Sequence, residues 1–296
     1  MIGFSLSEPF RYEFFRNGLA VAVLAGALCG LVGVYIVLRN MSYIGHGMSH
    51  AVFGGAVASY VLSVNFYLGA GLWGLLSALL INGVARRRNI GADAAIGIVT
   101  TASFAVGVAL ISRSQHFTRN FEAALFGDIL GVRVGDLLIL AGVFVFTVAV
   151  VVLRYRQLLF LTFDAEVAQV YGVRTRRLDQ VFALVLAVAV VSTLQVLGAT
   201  LVAAALVIPP VVARLCTDRF GRLVWLSTVI GAGCGLVGMY SSYYTNVASG
   251  ATIVLTAAAV FVVVFAVQGI RARLPGRQNR LAVLRSTAPV EPVHLG

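Results

Sequence analysis

Residues 14–38 read FFRNGLAVAVLAGALCGLVGVYIVL and contain a single charged side chain, Arg16. A helix that crosses the hydrocarbon core of a bilayer needs about 20 mostly apolar residues. This run meets that requirement, so it predicts a membrane-spanning helix. Gly26, Gly30 and Gly33 form a stripe along it, and small residues of this kind allow a second helix backbone to approach closely.

The rest of the chain repeats this apolar pattern. Apolar residues make up 60% of the sequence and charged residues 11%, whereas a soluble domain carries about 25% charged residues. Nine runs are candidate spans: Phe14–Leu38, Ser49–Val64, Leu68–Ala85, Ala92–Ser112, Gly135–Leu153, Leu178–Leu194, Gln195–Ala213, Leu223–Tyr240 and Val247–Val267. The sixth and seventh runs abut, so they are either two spans or one span followed by a re-entrant helix. The prediction is an all-α, polytopic integral membrane protein with eight or nine transmembrane helices plus short cytoplasmic and re-entrant helices.

The formal net charge is +11, and no lysine occurs in the chain. The arginines mark short loops instead of forming one continuous stripe, which argues against nucleic acid as a partner. Cytoplasmic loops of membrane proteins are enriched in arginine and lysine. With nine spans, this rule places the N-terminus outside and the basic C-terminal tail inside.

His46 and His50 are the most informative polar residues. Their spacing puts both imidazoles on one helix face, where they can share a divalent cation or a proton. Hydrogen-bonded interfacial histidines are an equally open interpretation. Asp93 either contacts a substrate or is an anion at a helix start, which the helix dipole favours. Pro209 and Pro210 are expected to break the hydrogen-bond ladder of a span beside a pathway.

The segment between Leu153 and Leu178 is longer than a connection requires. Asp164 can cap a short helix there, and Gly172 suits the position just after its end. A short helix rimmed by arginines offers a surface for another protein. The alternative is a helix that anchors this loop to anionic lipid.

Six segments in order resemble the permease subunit of bacterial ATP-binding-cassette (ABC) importers for manganese, zinc or iron ions. The resemblance covers roughly residues 14–268. The segments are LRNMSYIGHGMSHAVFGG (38–55), DAAIGI (93–98), LFGDIL (125–130), LLFLTFDAEVAQVYGV (158–173), LGATLVAAALVIPP (197–210) and ASGATIVLTAA (248–258).

The resemblance implies a multi-pass protein of the bacterial plasma membrane with three kinds of protein partner. These are two cytoplasmic ATPase subunits, an extracytoplasmic metal-binding protein and a second permease, either an identical copy in a homodimer, which we expect, or a different paired permease. The metal is a transported substrate, and no cofactor is expected. The chain lacks a G-x-x-x-x-G-K-[ST] motif, so ATP hydrolysis is assigned to the partner.

The resemblance also divides the chain into three parts. Residues 1–13 form an N-terminal segment, 14–268 the permease domain, and 269–296 a basic tail that we expect to be disordered in the cytoplasm. A coupling helix for the ATPase would fall at about 163–172. Its expected contacts with the ATPase are Asp164, Glu166, Ala168 and Gly172.

One departure from the family pattern concerns the metal. Family members usually show Gly-Asp-x-x-Ser-His, whereas residues 45–50 read Gly-His-Gly-Met-Ser-His. His46 and His50 occupy the two positions thought to contact the metal, and imidazole in place of carboxylate favours zinc over manganese. Two other functions remain as alternatives. They are a permease for iron chelates or vitamin-like ligands, and an intramembrane enzyme using Ser49 and a histidine.

Overall fold

The computed structural model describes residues 8–39, 41–85, 91–113, 127, 129, 131–163, 165–172 and 174–273. Within these residues the regular structure is helical, with no strand. A short 3-10 helix at Pro9–Arg11 precedes eleven α-helices. The α-helices are α1 Glu13–Leu38, α2 Ser42–Val61, α3 Phe66–Ala85, α4 Ala92–Arg113, α5 Val134–Leu153, α6 Tyr155–Phe163, α7 Ala165–Val170, α8 Thr175–Leu197, α9 Ala199–Cys216, α10 Phe220–Thr245 and α11 Ser249–Arg273.

Each of the nine predicted runs falls on one of these helices, which confirms the all-α polytopic class. In the described part of the chain, seven helices are long and apolar enough to cross a membrane: α1, α3, α4, α5, α8, α10 and α11. The other two helices that carry predicted runs, α2 and α9, do not meet these criteria, each for a different reason. Helix α2 carries both histidines, three serines and four glycines, and the apolar part of α9 is short.

Helix α1 is the most buried candidate span and lies at the centre of the bundle. Its glycine stripe packs directly on neighbouring helices, as predicted. A Cβ atom on Gly26 would lie 2.1 Å from the Gly231 carbonyl oxygen of α10. The buried Ser227 hydroxyl of α10 donates a hydrogen bond of 2.6 Å to the Gly30 carbonyl. This close backbone contact fixes α1 against α10.

Contacts between helix ends support nine crossings. Each contact joins ends that the positive-inside rule places on the same side of the membrane. On the predicted outer side, the Tyr67 hydroxyl donates a hydrogen bond to Asp136, and the Phe15 and Tyr243 rings contact each other. On the predicted cytoplasmic side, the Gln268 amide donates a hydrogen bond to the Leu215 carbonyl, and Arg39 forms an ion pair with Asp179. A re-entrant α9 would put the end of α10 on the opposite side of the membrane from the start of α1, which the Phe15–Tyr243 contact contradicts.

The boundary between α8 and α9 is a single residue, Gly198, with φ of 76°. This left-handed backbone conformation suits glycine because it has no Cβ. The sixth and seventh runs are therefore two separate helices joined by a very tight turn. The boundary lies slightly beyond the predicted position near Leu194.

The two prolines do not end α9, which continues through Pro209 and Pro210 to Cys216. Because Pro210 has no N–H, the Leu206 carbonyl loses its usual helical donor. That carbonyl faces Gly33 of α1, where a Cβ atom would approach it to within 1.9 Å. The freed oxygen thus meets a neighbouring backbone, and Gly33 is required for that contact.

Candidate metal site

His46 and His50 lie one turn apart on α2, and their ring centroids are 4.6 Å apart at an interplanar angle of 73°. Both side chains are partly exposed. The Tyr43 ring lies 5.6 Å from His46 on one side, and the Phe104 ring of α4 lies 5.7 Å from His50 on the other. The two imidazole rings of the predicted pair therefore lie next to each other, and each also contacts an aromatic ring.

Glycines position the histidine helix. A Cβ atom on Gly47 would lie 2.4 Å from Ile96 of α4, and one on Gly54 would lie 2.2 Å from the Ser103 carbonyl. The backbones of α2 and α4 therefore approach closely at these glycines, because small residues allow such contact. This contact holds α2 against α4 while both imidazoles stay partly exposed.

The enzyme alternative finds no support at Ser49. Its side chain is 0% exposed, and its hydroxyl donates a hydrogen bond of 2.9 Å to the His46 carbonyl. A serine nucleophile needs a hydrogen bond to a general base. Ser49 instead makes a local helix contact and stabilises the turn that carries the histidines.

The described residues contain no group of three or more histidine, cysteine, aspartate or glutamate side chains that could hold a metal ion. Within the described residues, His46 and His50 are therefore a pair and not part of a larger cluster of such side chains. Asp93 lies in the first turn of α4 with an exposed side chain, a position that the helix dipole favours for an anion. Pro209 and Pro210 are buried and follow Leu206 by about one helical turn. The Leu206 side chain approaches Gly45, the residue before His46.

Sequence reasoning missed a partly buried ion pair at the end of α1. Arg39, just after α1, contacts Asp179 of α8 at 2.6 Å, and the two side chains are 18% and 12% exposed. The Arg39 guanidinium also lies 5.2 Å from the centre of the Phe182 ring. A lone aspartate beside an apolar run was the available signal. Its partner, 140 positions away in sequence, could not be inferred.

Replacing Asp179 with alanine is expected to destabilise the fold by about 2 kcal/mol, between the values for exposed and fully buried ion pairs, because it removes the carboxylate that the partly buried Arg39 charge contacts. Unfolding of the purified permease in detergent would measure this. Asp218→Ala is the control, since Asp218 is exposed and exposed substitutions usually change stability by less than about 0.5 kcal/mol. Adding Arg39→Met to Asp179→Ala should recover most of the loss. Equal stability of Asp179→Ala and Asp218→Ala would contradict this account.

The arginine-rich loop between α5 and α8 contains two short helices, α6 and α7, where the sequence predicted one. Within α6, Leu158 and Leu161 are buried, so this helix packs on the bundle. Helix α7 follows, and its Ala168 is fully buried. Gly172 has a φ of 76°, as expected of the residue after a helix end.

Two large, exposed side chains lie at the C-terminal end of α7. Val170 is 85% exposed and Tyr171 is 75% exposed. Asp164 lies outside the described residues, and nothing is described of the Glu166 side chain. The ATPase contacts predicted for Asp164, Glu166, Ala168 and Gly172 all stay predictions.

Comparisons with known proteins agree with this architecture. Residues 11–268 match the ABC 3 transport family. The manganese transport system membrane protein MntC of Halalkalibacterium halodurans is 35% identical over 88% of this chain and 90% of its own length. A probable iron transport system membrane protein of Haemophilus influenzae is 32% identical over 90% of this chain and 98% of its own.

A solved structure shows the same fold. PsaBC from Streptococcus pneumoniae in complex with a Fab contains a chain that is 31% identical, with a TM-score of 0.81. The alignment covers 96% of this chain and 100% of that one. The chain therefore belongs to the ABC 3 transport family, as a multi-pass permease subunit of the bacterial plasma membrane whose ATPase is a separate subunit.

Proposed function

We propose that this permease imports a divalent transition-metal ion and that His46 and His50 bind the ion transiently during passage. The observation that carries this proposal is the pair of partly exposed imidazoles, 4.6 Å apart on the glycine-packed helix α2. Imidazole nitrogen is a common ligand of zinc, iron and copper. The relatives named for manganese and iron transport support a metal ion as the substrate.

The site needs a second copy of the chain. Two imidazoles fill half of a tetrahedral coordination shell. In a homodimer with two-fold symmetry, the same patch from both copies meets at the axis. Four imidazoles would then surround one ion. An extracytoplasmic metal-binding protein would deliver the ion to this axis from the outer side.

Helix α7 provides the proposed contact with the ATPase. Ala168 holds α7 against the protein, while the exposed Val170 and Tyr171 are available to a partner. Both apolar side chains lie on the side that the arginine-rich loops place in the cytoplasm. The coupling surface therefore consists of α7 and its C-terminal residues up to Gly172.

Residue 46 should influence which metal passes. A site of four imidazoles favours zinc, whereas manganese prefers oxygen ligands. His46→Asp restores the carboxylate that is usual at this position, so it should raise manganese uptake relative to zinc several-fold. The measurement is competitive uptake of the two metals into proteoliposomes that contain the complete transporter.

The control for this experiment is His294→Asp, the same change in the tail beyond residue 273. It should leave the metal ratio unchanged. An identical ratio in the wild-type protein and His46→Asp would mean that residue 46 is not a ligand and that selectivity lies in the delivering protein.

A further inference from the structure

The Thr100 hydroxyl has an unusual environment for a helical threonine. Its Oγ1 atom is buried and has no hydrogen-bond partner among the described residues. Other helical threonines donate to the carbonyl four residues earlier; these include Thr162, Thr193, Thr228, Thr245 and Thr256. This local bond is the usual way for a threonine to satisfy its hydroxyl in a helix. Thr100 instead directs its oxygen away from its own helix.

That oxygen lies against the turn that carries the histidines. A Cβ atom on Gly47 would lie 2.8 Å from Thr100 Oγ1, so the hydroxyl fills the space above this glycine. One turn further along α4, the Phe104 ring contacts His50. Thr100 and Phe104 therefore face the histidine turn from the same side.

A buried polar atom without a partner calls for an explanation, and a bound water or ion is one of the usual ones. Helix α2 covers the Thr100 hydroxyl in this conformation. A hydrogen-bond partner that arrives with the substrate would explain why the hydroxyl has none among the described residues. Metal-bound water is a strong hydrogen-bond donor because the ion polarises it. Hydrogen bonds around the direct ligands also change metal affinity, typically by about 10–100-fold.

We propose that Thr100 Oγ1 is a specificity-determining oxygen, which accepts a hydrogen bond from a water molecule on the ion held by His46 and His50. This inference rests on the proposed function. It supplies an oxygen contact to a site whose direct ligands are nitrogens. That contact favours ions such as manganese that retain water and prefer oxygen.

Thr100→Val tests this directly, because it removes the hydroxyl and keeps the shape of the side chain. Uptake of zinc and of manganese is measured separately in proteoliposomes with the ATPase and the binding protein. The KM for manganese should rise roughly 10–100-fold, with a smaller effect on zinc, so the ratio of zinc to manganese uptake rises. Thr100→Ser retains the hydroxyl and should behave as the wild type.

The chain offers a matched control in Thr147. Its hydroxyl is also buried and without a partner among the described residues, but it lies on α5, which packs on α1 and α8. Thr147→Val should leave both KM values unchanged. Thr100→Ala is a second variant without the hydroxyl, and each variant is assayed after its ATPase subunits are shown to co-purify.

Three outcomes would overturn the inference. They are equal KM values in Thr100→Val and Thr147→Val, an equal fall in maximal rate for both metals, or failure of both hydroxyl-free variants to assemble. His50→Ala in the same assay separates this test from the proposed function. Normal uptake by His50→Ala overturns the histidine site itself, whereas its loss alongside unchanged Thr100→Val kinetics overturns the role of Thr100 alone.

Discussion

His50→Ala is expected to reduce metal uptake by at least about 100-fold, since even a group one shell further from a metal changes affinity by up to that factor. In a dimer the substitution removes two of the four proposed imidazoles. The partly exposed position of His50 means that the shorter side chain leaves no large internal cavity. Assembly with the ATPase should therefore survive, and transport of radioactive zinc or manganese into proteoliposomes measures the loss.

Ser59→Ala is a suitable control for that experiment. Ser59 lies on the same helix and is buried, but its hydroxyl donates to the Gly55 carbonyl of its own helix and packs against Gly69 of α3. Its removal should leave uptake close to the wild-type rate. Normal transport by a His46→Ala/His50→Ala double variant would show that the pair does not contact the ion.

The second large effect is expected at the end of α7. Val170→Asp combined with Tyr171→Asp should prevent the ATPase subunits from co-purifying with the permease. Both side chains are strongly exposed, so their replacement has little effect on the fold of the permease itself. If Val170 and Tyr171 pack against the ATPase, the variant would bury two carboxylates at that interface. The loss of a central aromatic contact alone costs about 2 kcal/mol or more of binding free energy.

The control for docking is Arg219→Glu, a charge reversal on another turn of the same side of the membrane. Arg219 is exposed and lies between α9 and α10. The ATPase should remain bound in this variant. Retention of the ATPase and of coupled uptake in the Val170/Tyr171 double variant would place the docking surface elsewhere.

The helices were largely predictable because a bilayer demands long apolar runs. Helix α2 shows where this rule weakens. The apolar run was expected to begin at Ser49, but the helix begins at Ser42, because Gly45, His46 and Gly47 lower the local hydropathy without preventing a helix. Helix α6 was missed for a related reason, since its polar residues resembled a loop.

The histidine pair was predictable because its geometry depends on helical spacing alone. The contacts around it were not. Thr100 meets Gly47, and Arg39 meets Asp179, only because separate helices pack together. Sequence shows that a glycine permits close approach, but it does not show which helix approaches. The proposed role of Thr100 and the partly buried ion pair could therefore be recognised only from the fold.

The most direct test of the histidine site is X-ray absorption at the zinc edge, on the assembled transporter trapped with zinc during transport. We predict imidazole nitrogens at about 2.0–2.1 Å from the metal, with the outer-shell scattering that imidazole rings produce. This signal should disappear in the His46→Ala/His50→Ala variant. A shell of oxygen ligands alone, identical in both proteins, would contradict the assignment of His46 and His50 as ligands.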